Sequence, residues 1–194
     1  PAAAVGGGET TPSTMIAAAS TWSYLVGGAP PSDWLQATFD ASSWPTGPAP
    51  LGYGDSPATE VTRDGVSVYF RRVFQVEDAA RVASAAMTVM RDDGVICYIN
   101  GAEVLRDNLP DGTIAADTLA VLGVGNADET SFFEFDIADA SVIGNGDNVL
   151  GCSVHQQSAG SSDLAFDATL ALNLLVNFTP SPSPSPSLEP TPSS

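Results

Sequence analysis

The clearest alternation of apolar and polar positions runs through residues 164–178. There Leu164, Phe166, Ala168, Leu170, Leu172 and Leu174 share one face, and Asp167, Thr169, Asn173 and Asn177 share the other. A two-residue period is the signature of a half-buried strand. At about 3.3 Å per residue this one would span roughly 50 Å, beyond the usual strand. The pattern therefore predicts a strand that either bends between two sheets or leaves the domain to pair elsewhere. Residues 66–76 alternate too, with Val66, Val68, Phe70, Phe74 and Val76 on one face. Arg72 interrupts that face, which predicts a structural ion pair with one of the many carboxylates.

Residues 85–105 predict a three-stranded meander, because Asp93-Gly94 and Asn100-Gly101 reach positive φ cheaply and each lies between strand-forming runs. In its middle run Val95, Cys97 and Ile99 face one way while Ile96 and Tyr98 face the other, so both faces are apolar. That predicts a central strand of a two-layer β structure. Further strands are predicted over 118–124, 131–137 and 149–155, with a short helical or turn connection over 139–143. From Trp22 onward, Trp22, Tyr24, Trp34, Phe39 and Trp44 alternate with Gly and Pro, which predicts short pieces strung between loops. Residues 47–55 read as a Gly/Pro-rich loop ordered by packing.

The two ends differ from this body. Residues 1–21 have no helical or strand period and should not fold alone. Their apolar stretch Met15, Ile16, Ala17, Ala18 and Ala19 predicts an extended arm able to add to a neighbour's sheet. At the other end Pro180, Ser181, Pro182, Ser183, Pro184, Ser185 and Pro186 alternate. Such a run makes neither a ladder nor a helix interior, so residues 179–194 predict a polyproline II spacer.

Composition narrows the partners. The 194 residues suit one domain. Twenty-three acidic residues oppose six basic ones, all Arg, for a formal net charge of -17. Nucleic acid is excluded as a partner, since binding it needs clustered cations, and anionic membrane surfaces are disfavoured for the same reason. No apolar run is long enough for a membrane-spanning helix. The sequence shows neither an initiator Met nor a signal-peptide pattern, as expected of a processed chain or of part of a longer product. An acidic, Lys-free surface suits an extracellular protein kept soluble by self-repulsion, and its carboxylates are able to hold Ca²⁺. Cys97 and Cys152 are compatible with one disulfide if residues 149–154 pair beside 95–99; two buried free thiols are the alternative.

Several motifs occur in consistent order between Trp22 and Leu172: Phe39-Asp-x-Ser-Ser-Trp44, Ala49-Pro-Leu-Gly-Tyr-Gly-Asp55, Tyr69-Phe-Arg-Arg-x-Phe74, Tyr98-x-Asn-Gly101, Val154-His-Gln156 and Ser162-Asp-Leu-x-Phe-Asp167. Together they resemble the galactose-binding-like jelly-roll modules of large secreted proteins. The resemblance implies an all-β chain with a single jelly-roll β-sandwich over 22–178, flanked by the arm and the tail. It also implies an extracellular or cell-surface accessory module without catalysis of its own, in a fold whose members often bind carbohydrate and sometimes carry a structural Ca²⁺. The Ser-Pro tail resembles hydroxyproline-rich wall glycoproteins, whose prolines are hydroxylated and glycosylated. Asn177-Phe178-Thr179 is a formal N-glycosylation sequon, weakened as an acceptor by Pro180.

Little in the chain points to catalysis. His155 is the sole histidine, three residues after Cys152 and so on the opposite face of a strand, which argues for a structural role over a Cys/His dyad. No metal-ligand spacing of the CxxC or HExxH kind occurs, and no cofactor is expected. Asp163 and Asp167 are the candidate Ca²⁺ ligands, with an Asx turn as the ordinary alternative. Tyr53 and Trp34 are the candidate sugar-binding aromatics, although tryptophans early in such a fold commonly anchor core and loops. Two functions are consistent with these observations. One is a structural subunit of an extracellular fibre or coat, forming a homo-oligomer or filament by strand addition of the arm. The other is a carbohydrate-binding accessory module tethered to a larger secreted protein.

Overall fold

A computed structural model describes residues 8–177, except for the side chains of Asn126 and Ala127. Over these residues the fold is all-β: twelve strands form two six-stranded sheets packed as a sandwich. The first sheet runs β10 (Phe133–Ile137), β7 (Val82–Asp92), β12 (Leu164–Leu175), β4 (Leu51–Tyr53) and β5 (Thr59–Glu60), with β1 (Thr10–Ile16) also on β12. The second runs β3 (Thr46–Pro48), β2 (Thr21–Leu25), β6 (Ser67–Val76), β11 (Gly146–His155), β8 (Gly94–Ile99) and β9 (Ala102–Asp107).

Alternating apolar positions of the two sheets meet in one core. Phe70 of β6 stacks on Phe166 of β12 with ring centroids 4.1 Å apart, and Trp22 of β2 meets Phe166 edge-on at 5.1 Å. These three rings are fully buried and tie the sheets together across the sandwich. Offset or edge-to-face ring pairs of this kind add to the burial of the rings themselves.

The long strand stays within one sheet. β12 pairs along its length with β7; on its other side β4 takes its first residues and β1 its last. It neither bends into the second sheet nor leaves the domain. The same pairing corrects the expectation for the arm. Of the stretch expected to add to a neighbour's sheet, Met15 and Ile16 belong to β1, which fills the free edge of β12 in its own sheet, with Ile16 buried in the core, and Ala18 and Ala19 lie in the turn that follows. A strand edge with unpaired amides and carbonyls takes the nearest available partner, and here that partner is in the same chain.

The expected meander is a single hairpin. β8 and β9 are joined by Asn100 and Gly101, with φ of 52° and 88°. That is the chemistry of a tight two-residue turn. β7 and β8 lie in different sheets, because both edges of β7 are taken by β10 and β12. Asp93 therefore lies at a corner where the chain crosses between layers, after a cis Asp92–Asp93 peptide.

Residues 118–124 are also not a strand. Their amides go singly to acceptors on other segments: Ala120 donates to the Gln156 carbonyl, Val121 to the Asn108 carbonyl, and Leu122 to Asn108 Oδ1. The result is a pinned loop and not a ladder. Arg72, expected in an ion pair, donates to the Thr21 carbonyl instead. The buried arginine of this strand is its neighbour Arg71.

Cys97 and Cys152 are directly opposite on β8 and β11 and form a disulfide. It closes a sequence separation of 55 residues. Chain-entropy arguments give such a link about 4 kcal/mol of stabilisation. A Cys97→Ala/Cys152→Ala variant, or the reduced protein, should lose between about 2 and 4 kcal/mol in urea denaturation; an unchanged midpoint would contradict this role.

Candidate functional site

From Asn148 to His155, β11 is buried on both faces. Leu150, Cys152 and Val154 point into the sandwich, while Gly151, Ser153 and His155 point out beneath two covering loops. The first loop carries Trp34, Leu35, Phe39 and Trp44 and forms a second small core with Tyr69. The second carries Leu109, Ile114 and Ala120 and packs on Ile96. Tyr98 of β8 touches both clusters. Between them lies a cleft of about 400 Å³ whose lining includes Trp34, Tyr69, Tyr98, Ile114, Ala115 and Ser153 and, among the described residues, no charged side chain. That size and its mixture of apolar walls with a few hydroxyls suit a small-molecule ligand.

Trp34 is held from four directions. It stacks on Trp44 at 6.2 Å and meets Tyr69 edge-on at 5.7 Å. Arg71 donates from Nε to the Trp34 carbonyl and from Nη2 to the Gln36 carbonyl, each at 2.9 Å. Against the ring is Gly151, where a Cβ would come within 2.3 Å of Leu35 Cδ2 and 2.7 Å of Trp34 Cζ3. A glycine inside a strand commonly marks such a close approach.

Ser153, on the floor of the cleft, is paired with a fully buried histidine. Ser153 and His155 are two apart on β11 and so share a face, with Ser153 Oγ 2.9 Å from His155 Nε2. His155 Nδ1 lies 2.9 Å from the Thr118 carbonyl. Burial pulls the histidine pKa down, against a smaller opposing effect of the Thr118 carbonyl, so the ring is neutral at neutral pH. Burial pushes the Tyr69 and Tyr98 phenols up, so both keep their protons.

A second group of polar residues gathers where the chain crosses between sheets. One carboxylate oxygen each from Asp55, Glu129 and Asp163 lies within 4.8 Å of the others, a spacing able to hold a divalent cation. Asp163 belongs to this group. Asp167, its expected co-ligand, does not: its carboxylate accepts from the Ala19 and Ala168 amides, and so fixes the turn between β1 and β2. Behind the cluster, Asp93 accepts from the Val124 and Gln157 amides. Asp92 is 2 % exposed. Burial, and then the hydrogen bond and charge of Asp93 with the charges of Asp163 and Glu129, push its carboxyl up to about 8.

The two expected sugar-binding aromatics separate. Trp34 is mostly buried, although it lines the cleft. Tyr53 is equally buried, in β4 beside Arg63 and Ser162, and is not the exposed aromatic expected of its Gly-rich loop. That loop is ordered because its halves join opposite sheets, β3 in one and β4 in the other. Asn177 is exposed just after β12, and Pro180 to Pro186 fall outside the described residues. Sequence reasoning missed Tyr69, Tyr98, Gly151 and Ser153. The Ser153-x-His155 spacing in a predicted strand and the glycine between two apolar neighbours were the available signals.

No family model matches the chain, and no curated protein matches its sequence. Solved structures do match in fold. A calcium-binding mutant of Bacteroides uniformis β-glucuronidase 2 superposes with a TM-score of 0.53 at 15% identity, over 84% of this chain and 18% of that one. A glycosyl hydrolase family 2 member from Bacteroides cellulosilyticus gives 0.50 at 16% identity, over 83% and 20%. The B. uniformis β-glucuronidase gives 0.53 at 13% identity, over 84% and 18%. At these identities the likeness is one of fold, and the chain spans about a fifth of the length of each of these proteins.

Two outcomes test the geometry. Gly151→Ala should displace Trp34, shift the tryptophan emission and cost about 1–3 kcal/mol by overpacking; an unaltered spectrum and midpoint would contradict the contact. Asp92 keeps its proton in the native state between pH values of about 4 and 8, where the unfolded chain has lost it. The native state then binds more protons, so this group's stabilisation falls as pH rises through that window, by at most about 1.4 kcal/mol per pH unit. Asp92→Asn should flatten that part of the stability profile in denaturation series. An unchanged slope would show that Asp92 is ionised.

Proposed function

We propose that this chain is a non-catalytic, carbohydrate-binding β-sandwich module of a larger extracellular carbohydrate-active protein, and that the cleft over β11 is its sugar site. The observation that carries the reading is an uncharged cleft with aromatic walls and hydroxyls on its floor. Sugars combine apolar ring faces with hydroxyls, and such a lining offers a partner to each. The matching glycosidases support the setting, because the chain corresponds to about a fifth of each and so to a part of a larger architecture. The motifs resembling galactose-binding-like modules lead to the same class.

A non-catalytic role fits the placement of the carboxylates. Glycoside hydrolysis ordinarily uses two of them flanking the bound sugar, and among the described residues none lines this cleft. The disulfide and the strongly acidic, Lys-free composition suit an extracellular setting. Asn177 is exposed and accessible for glycosylation, and the Pro/Ser tail would serve as the spacer. The exposed Leu119, Val121 and Leu122 of the second covering loop suit packing against the rest of such a protein. The fibre-subunit reading has less support, since its donor strand already pairs with β12.

A glycan array followed by calorimetric titration tests the reading. Saturable sugar binding is expected, lost in Trp34→Ala and weakened roughly tenfold in Ser153→Ala, which removes one hydrogen bond without emptying the core. Asp55→Asn, at the acidic corner, should bind as the wild type does. A flat response across the array would overturn the proposal.

A further inference from the structure

We infer that the cleft selects neutral sugars by presenting Ser153 to them purely as a hydrogen-bond acceptor, and that it rejects hexuronic acids. The inference rests on the cleft being a sugar site and specifies the class of sugar it takes. The Thr118 carbonyl can only accept, so the hydrogen of the neutral His155 ring is on Nδ1, which donates to it at 2.9 Å. His155 Nε2 is then a bare lone pair, and the partner 2.9 Å away that can donate to it is the Ser153 hydroxyl. With its one hydrogen directed at the histidine, Ser153 Oγ has only lone pairs to offer the cleft. A ligand atom placed there must donate. A sugar hydroxyl can, and a carboxylate oxygen cannot.

The charges around the cleft have the same effect. Among the described residues no cation lines it. Arg71, on the same outer face, commits Nε and Nη2 to the loop carbonyls of Trp34 and Gln36, and its guanidinium lies over the Phe39 ring. Beside Tyr69, whose phenol is raised mainly by burial, the Asp117 carboxylate adds a further negative charge. Beside Tyr98, whose phenol is likewise raised mainly by burial, the nearby cation, Arg106, is paired with Glu103, whose opposing effect on that phenol is the larger. A uronate seated in the cleft would have only the uncharged Tyr69 and Tyr98 phenols and a serine hydroxyl other than that of Ser153 as donors, would thus lack a cationic partner, and would meet the field of a chain of net charge -17. Desolvating an anion without such a partner is costly.

Neutral methyl hexosides and their matched methyl hexuronides, titrated in pairs by calorimetry at low and high salt, separate the possibilities. The neutral member of at least one pair should bind, with its uronide at least roughly thirtyfold weaker. High salt should leave most of that gap, since it screens distant charges far more than a desolvated, unpaired carboxylate. Ala115→Arg, which adds a cation at the exposed rim, should narrow the gap, and Ser153→Ala should weaken the neutral sugar roughly tenfold. Equal or tighter binding of the uronide would overturn the inference while leaving the sugar site standing. Binding of neither member of any pair would overturn both.

Discussion

The structure depends on one strand being buried on both faces. β11 pairs with β6 along ten residues and with β8 along six, and the Cys97–Cys152 bond joins it covalently to β8. From Asn148 to His155 a strand so placed has no solvent face, so each side chain there must be apolar, very small or hydrogen-bonded. The inner positions meet this with Leu150, Cys152 and Val154. The outer ones meet it with Gly151, which leaves room for the Trp34 and Leu35 side chains, and with Ser153 and His155, which satisfy each other and the Thr118 carbonyl. The cleft is thus a by-product of covering an inner strand with two loops that do not quite meet.

Charge is distributed to suit. With 23 acidic residues against 6 arginines, carboxylates far outnumber the available cations. The arginines go where a long, rigid donor is most useful: Arg71 pins the first covering loop, Arg91 pairs with Asp107 near the β7–β8 corner, and Arg81 holds the Leu175 carbonyl at the end of β12. The acids at that corner are satisfied by backbone amides, as at Asp93, or hold a proton, as at Asp92. The cleft over β11 and the acidic corner are therefore electrostatically unlike. One is uncharged and suits a neutral ligand, whereas the other is the place on the described surface best suited to a cation.

Particular elements show where the sequence was legible. The strands β6, β10, β11 and β12 were readable, to within a few residues at their ends, because alternation is a local property that survives whichever partner the strand finds. The Asn100-Gly101 hairpin was readable because its turn demands positive φ. Asp93-Gly94 looks equivalent in sequence, but it serves as a corner between sheets, since the strand beyond a turn pairs with whichever edge is free. Residues 118–124 have the composition of a strand and lack a partner edge, so their amides are satisfied one at a time. The tryptophans illustrate the same limit. Trp22 and Trp34 are alike in sequence, yet one sits at the centre of the core and the other forms the wall of a cleft.

By itself the sequence determined the class, an all-β chain of strongly acidic composition, because period, turn chemistry and charge are written residue by residue. Only the tertiary structure decided that residues 10–16 complete their own sheet, that Asp167 caps a turn while Asp163 joins Asp55 and Glu129, and that Trp34, Tyr69, Tyr98 and Ser153 meet around one cleft. These outcomes depend on which strand edges are left open and which faces come together, and those are set by pairings between residues far apart in the chain.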